Sequence, residues 1–515
     1  MAHRHGIPGA PLIWLLAAIA CSATPFPGPA ATTDSSREQT ATLAPTEDAP
    51  AIQPTAAPKQ RQQAMRAGFE QDIASFLDGL HYWLDVRVDL DPVRVRGRQR
   101  VHYVNTSNDT LTEVAFRLVA NGLYSKTLHT VTNVTVDGQP AETALSVHNS
   151  VLMVKLGKEL APGASVEIAM DSILDLPPGA ELSYGRIADK GEAIFLSSFF
   201  PMVSVYEHGA WWVDPTVDQG DPAYSESALF DVTLTAPEGV MVAASGSVIS
   251  QTPGDAGTTV YQFVSGPIRD FSVALSPKFE LDTQSQDGVT VNIWSRPGDE
   301  KSDVFAMGKT LKSLELFGRL YGKYPFAELD VVEAPIEALG IEYPGLIYID
   351  SDAWNASESN LFEFVLSHEI AHQWWYSAIG NDQINEPWLD EGLADYSIIV
   401  YFRDGYDQAA GDRVRDFYQR DVDDYVSNND SRMPTGLPAG AYSANEYGTF
   451  VYSAGALFYS HLEDDYGKDK VTQMLRAYYA RHRYGLARID DMRDIVVEFF
   501  GDKAGAFFDE WVRGK

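Results

Sequence analysis

Apolar and polar positions change their spacing several times along the 515-residue chain. Met65, Phe69, Ile73, Phe76 and Leu80 recur at three- and four-residue steps, the period of one amphipathic helix. The spacing then becomes two. "YWLDVRVDLDPVRVRGRQRVHYVN" and "SALFDVTLTAPEGVMVAASGSVIS" alternate apolar with polar residues between Gly, Asn, Asp and Pro turns, and similar stretches run to Phe279. That alternation predicts a mostly antiparallel β region, sheet on sheet. From about residue 288 a strand, "VTVNIWS", is followed by a helical run around "VFAMGKTLKSLELFGRLYG" and a further strand, "ELDVVEAP". Beyond residue 359 nearly everything has the helical period. The expected fold is therefore α+β and multidomain. An N-terminal antiparallel β domain, saddle- or sandwich-like with a leading helix, covers residues 63–283, and a mostly helical domain covers 284–515. The aromatic stretch "YEHGAWWVDP", with Trp211 and Trp212, fits a core or domain interface better than a ligand site.

Residues 22–62 are rich in Pro, Ala, Thr and Ser and carry almost no large apolar side chains, so with Cys21 they make an expected tether over 21–62. Ahead of it, Arg4 and the apolar run from Pro11 to Ala20 have the form of a signal peptide over residues 1–20, too short to span a bilayer comfortably. Cys21 is the sole cysteine, which excludes an intramolecular disulfide. Ala18-Ile19-Ala20-Cys21 resembles a bacterial lipobox, with Ala18 where leucine is usual. That resemblance implies cleavage before Cys21, a lipid on its thiol and attachment to a membrane, facing the periplasm or cell exterior. An ordinary secretory signal with an incidental cysteine is the alternative. The formal net charge of −33 changes the picture in one respect: such a surface repels phosphate backbones and disfavours nucleic-acid partners.

Candidate chemistry sits in "FVLSHEIAHQWWYSA", residues 364–378. On a helix, His368 and His372 share a face and point at one cation, while Glu369 stands one step round, placed to reach a metal-bound water. The chain continues "GNDQINEPWLDEGLADY", in which Glu386 and Pro387 start a second helix that carries Glu391. Two imidazoles and a carboxylate, with the fourth position left to water, make a catalytic zinc set, so one Zn2+ per chain is expected. Asp395 follows Glu391 by one helical turn; it either accepts a hydrogen bond from a ligand histidine or is a structural carboxylate.

HExxH followed after eighteen residues by a glutamate resembles the gluzincin aminopeptidases, the family of aminopeptidase N and the leukotriene hydrolases. "HEIAHQWW" and "WLDEGLADY" extend the match, with Asp390 in place of the family's asparagine. Upstream, "EALGIEYPGLIYID" resembles the family's exopeptidase motif. The resemblance implies that Glu342 holds the substrate's free α-amino group and that Gly340 and Ile341 form the backbone strip beside the peptide. Leu339 stands where a glycine is usual. Downstream, "EYGTFVYSAGALFYSHL" resembles the segment of the catalytic tyrosine, placing that role on Tyr452, with Tyr447 as its competitor. The resemblance covers about residues 80–515 and implies a thermolysin-like catalytic domain. The second amine-binding residues of many relatives have no counterpart, since "FLSSFFPMVS" offers no carboxylate, and the C-terminal helical domain of long relatives does not follow "FFDEWVRGK".

Three functions are consistent with these residues. The leading one is a zinc aminopeptidase acting on peptides. A gluzincin endopeptidase is the second, because an amine anchor is missing from the pattern. A lipid-anchored scaffold on an inactive peptidase fold is the third, which the presence of every zinc ligand and of Glu369 disfavours. Oligomeric state is not legible in the sequence.

Overall fold

A computed structural model describes residues 58–515 except 125, 218, 256, 299 and 357–359. The expected signal, Cys21 and nearly all of the tether lie outside the described residues. The folded body begins before residue 63. Arg61 is buried, and its Nε donates to Asp231 Oδ1 at 3.1 Å.

The leading helix is not formed as one helix. Met65 is extended (φ −109°, ψ 139°) and bridges to Phe326, Gly68 takes φ +98°, and two short 3-10 turns, Gln62–Ala64 and Glu70–Phe76, stand on either side. Met65, Ile73 and Leu80 are all buried. The period correctly marks buried positions, but a left-handed glycine and a β-bridge interrupt any continuous helix.

Alternation does produce strands. An eight-stranded sheet runs in the order Ser247–Pro253, Thr258–Val264, Leu229–Pro237, His81–Leu90, Val93–Val104, Ser165–Asp175, His129–Val136 and Gln139–Pro140. Its pairings are antiparallel except His81–Leu90 with Leu229–Pro237, which run parallel. A four-stranded sheet (Leu111–Arg117, Val151–Leu160, Thr143–Ser146, Met202–Val203) joins the same core. Tyr82 links the two, stacking on Phe230 at 4.8 Å while its hydroxyl accepts a bond from Val203 N at 2.9 Å. A smaller five-stranded sheet, from Glu181–Leu182 to Val273–Ser276, lies toward the second domain.

The domain boundary falls a few residues before 283, because Glu280–Gln286 pairs with Val289–Ser295 inside the second domain's sheet. That sheet has the order Glu280–Gln286, Val289–Ser295, Glu328–Ala334, Leu346–Asp350, Gly340–Tyr343, leaving Gly340–Tyr343 at an edge. The remaining chain is mostly helical. Several contacts hold the domains together, two of them at buried side chains. Trp212 and Tyr224 pack with Ile384, which puts the tryptophan in the interface. The buried Arg269 donates to three backbone carbonyls, Tyr376 at 2.7 Å, Ser225 at 3.0 Å and Gly485 at 2.6 Å. Among the described residues no helix is long and apolar enough to cross a membrane.

Candidate metal centre and peptide cleft

The histidine helix, Asn360–Ala371, carries His368, and His372 follows in its last turn with its N–H on His368 O at 3.2 Å. Pro387 opens the glutamate helix, Trp388–Gly405, so Glu391 falls in its first turn. Three ring and carboxylate atoms converge. The two Nε2 atoms are 3.0 Å apart, and Glu391 Oε2 lies 3.2 Å from His368 Nε2 and 3.3 Å from His372 Nε2.

The donors fit zinc. Metal–donor bonds of about 2.0–2.1 Å at tetrahedral angles separate the donors by about 3.3–3.4 Å, close to the triangle found. The tautomers agree. His368 Nδ1 donates to Asp395 Oδ1 at 2.9 Å and His372 Nδ1 to Trp375 O at 2.9 Å, so both Nε2 lone pairs face the same point. Glu391 Oε2 is buried without a hydrogen-bond partner among the described residues, a costly arrangement that a cation relieves.

Tyr452 completes the wall. It lies in a wide π-type turn, Gly448–Ser453, ahead of the helix Ala454–Tyr466. A Cβ on Gly455 would sit 2.8 Å from Gly392 Cα, so these helices touch backbone to backbone. That approach brings the Tyr452 hydroxyl to Glu391 Oε1, to which it donates at 2.6 Å. Tyr447 is buried and faces the β domain at Gly220, where a Cβ would overlap its hydroxyl.

Glu369 is buried beside Gly340, whose missing side chain makes room for the carboxylate. Burial pushes its carboxyl up to about 8, His368 and His372 opposing the shift and Glu342 and Glu391 adding to it. Ile341 is buried and paired with Tyr348, so this edge strand has its second side free of any described strand. Gln373 ties the strand's end to the histidine helix, donating to Tyr343 O and accepting from Gly345 N, each at 2.9 Å. Glu342 is likewise buried. It accepts from Gln383 Nε2 at 3.0 Å and has Arg186 Nη2 at 3.7 Å.

Arg186, Asp221 and Gln383 are absent from the sequence reading. Arg186 pairs with Asp221, and Gln383 contacts Asp221 from 162 residues away. Asp221 is a β-domain carboxylate near Glu342, supplied by a segment other than "FLSSFFPMVS". Asp390, seen in sequence as a departure from asparagine, accepts from Asn381 at 2.8 Å and Gln383 at 2.7 Å. Burial, with Glu391 beside it, pushes its carboxyl up to about 7.

Comparison with known proteins agrees with this architecture. The profile of the Peptidase family M1 domain matches residues 305–511. The chain is 27% identical to mouse aminopeptidase N over 297 residues, 52% of this chain and 29% of that protein. It is 26% identical to human endoplasmic reticulum aminopeptidase 2 over 218 residues, 40% of this chain and 22% of that protein. The matches thus span less than a third of either relative. An M1 zinc metallopeptidase from Deinococcus radiodurans superposes with a TM-score of 0.65 at 21% identity, covering 85% of this chain and 94% of that one. A mutant form of that metallopeptidase, bound to a Tyr-Ser-Ala substrate, gives the same TM-score, 0.65, at 20% identity. Residues 305–511 thus match the Peptidase family M1 domain, and the chain has the two-domain fold of that metallopeptidase, an N-terminal β domain followed by a mostly helical one.

Proposed function

We propose that the protein is a zinc-dependent aminopeptidase that removes N-terminal residues from peptides. The observation that carries this reading is the closeness of Glu342 to the metal centre. A Glu342 carboxylate oxygen, a His372 ring nitrogen and an Asp390 oxygen all lie within 4.8 Å of one another. In a peptide the terminal nitrogen and the first carbonyl carbon are about 2.5 Å apart, from bonds of about 1.46 and 1.52 Å. An ammonium held by Glu342 therefore leaves room for one residue before the scissile carbonyl reaches the metal.

His368, His372 and Glu391 hold the zinc, which when bound lowers the pKa of its water to about 7 and polarises a carbonyl. Glu369 takes the proton of the attacking water and delivers it to the leaving amine. The Tyr452 hydroxyl donates to the oxygen on which negative charge develops. Gly340 and Ile341 align the peptide backbone along the open strand edge, and Glu342 turns recognition of a chain end into orientation. Asp395 holds His368 in the tautomer that presents Nε2. An unblocked tetrapeptide should be shortened one residue at a time from its N-terminus, and chelator should stop this until zinc is restored. Internal cuts as the first products would favour the endopeptidase.

We further propose that the enzyme is exported and lipid-anchored through Cys21, on the sequence pattern alone. Cys21→Ser should release it from membranes; equal retention refutes the anchor.

A further inference from the structure

Tyr452 stands on a backbone that needs outside support. The turn Gly448–Ser453 is of the wide π type, a geometry rare within helices. A neighbouring helix, Gln408–Asn429, grips it near both ends. Asp421 Oδ1 accepts from Thr449 Oγ1 at 3.3 Å, and Asp421 Oδ2 accepts from Ser453 Oγ at 2.7 Å. One carboxylate therefore bridges two hydroxyls four residues apart, and Tyr452 lies between them in sequence. Thr449 and Ser453 are buried, where a hydroxyl without a partner is costly and water has little access to replace the carboxylate. One turn further along the same helix, the Tyr425 ring packs edge-on against Phe450 at 4.9 Å. The Tyr425 hydroxyl donates to Glu446 Oε1 at 2.6 Å, and Glu446 Oε2 accepts from Ser443 N at 2.8 Å in the capping box of Ala444–Tyr447. The segment leading into the turn is thus held from the same side.

We infer that Asp421 is a positioning residue for the reaction: its grip on Thr449 and Ser453 keeps the turn wide and so keeps the Tyr452 hydroxyl at the metal centre. The inference rests on the catalytic reading of Tyr452 and places behind it a residue that touches neither metal nor substrate. The cost of losing the grip follows from helix geometry. Closing the turn to an α-helix takes one residue out of the ring, and one residue corresponds to about 100° of rotation about the axis. Even part of that rotation carries the hydroxyl off Glu391 Oε1, which it now meets at 2.6 Å, and away from the oxygen it serves.

The test is a double-mutant cycle of Asp421→Ala with Tyr452→Phe, read as kcat, KM and zinc content on an aminoacyl amide. In the wild-type background Asp421→Ala should lower kcat about ten- to a hundredfold, the scale of an ångström's misplacement, with KM and zinc content nearly unchanged. In the Tyr452→Phe background the same substitution should change kcat by no more than about twofold, because the hydroxyl it positions is already gone. Asp421→Asn, whose amide can still bridge two hydroxyls, should recover most of the lost kcat. Ser453→Ala removes the shorter of the two bonds from the other side and runs through the same cycle, so the question is decided even where Asp421→Ala folds poorly. A folded Asp421→Ala or Ser453→Ala with wild-type kcat overturns the inference, as does an equal loss of kcat in both backgrounds, which marks a purely structural carboxylate. Should Tyr452→Phe lose turnover while Asp421→Ala keeps it, only the positioning role fails. Should Tyr452→Phe keep full kcat, the tyrosine's own assignment fails and takes the positioning role with it.

Discussion

Removing the Asp395 carboxylate should weaken zinc binding without touching a ligand. Asp395 Oδ1 accepts from His368 Nδ1 at 2.9 Å, and the carboxylate is 4% exposed, so water has little access to replace it. In Asp395→Ala the imidazole loses a charge-assisted hydrogen bond worth about 1.5–3 kcal/mol. It also loses what keeps its proton on Nδ1, and a His368 protonated at Nε2 is no ligand. At about 1.4 kcal/mol per decade that loss is roughly 10- to 150-fold in zinc affinity, overlapping the ~10–100-fold typical of such outer partners. Asp395→Asn keeps an acceptor of the same shape and should lose less. Competition against a chromophoric chelator at fixed pH measures both. Zinc affinity within about twofold of wild type in Asp395→Ala would refute the tautomer role and leave Asp395 a structural carboxylate.

Glu369→Gln should keep zinc and lose most turnover, about a hundredfold or more, since the amide cannot accept the water's proton; metal content and kcat on one preparation check this, and retained kcat refutes it. Gly455→Ala should lower the melting temperature and the zinc content together. Its new Cβ would meet Gly392 Cα at 2.8 Å and push the glutamate helix from its place; a variant with unchanged zinc content and melting temperature counts against that close approach.

How much of this was legible in the sequence varies with the distance between the cooperating residues. His368, Glu369 and His372 lie on one helix, where linear spacing converts directly into a shared face. Glu391 and Asp395 are one turn apart on the next helix, so their relation to each other was also readable, and the family pattern supplied the return across the first helix. The β domain was legible because a strand's two faces differ in exposure, as along His81–Leu90. The same apolar signal misled at Met65 to Leu80, where burial is real but Gly68 and the bridge to Phe326 forbid a continuous helix. Residue 283 was a poor boundary because a polar hairpin strand, Glu280–Gln286, joins the second domain's sheet without any break in composition. Arg186, Asp221 and Gln383 gave no signal at all. They come from separate loops, and only the docking of the two domains brings them to Glu342.

The central claim is that Glu342 makes this metal centre an exopeptidase site, and the direct measurement is kcat/KM on one peptide in free and N-acetylated form, for wild type and Glu342→Gln. The substitution keeps the shape and removes the charge. Wild type should strongly prefer the free peptide, and Glu342→Gln should lose about ten- to a hundredfold or more on it while changing little on the blocked one. Equal cleavage of both peptides by wild type, or equal slowing of both by Glu342→Gln, would contradict the account.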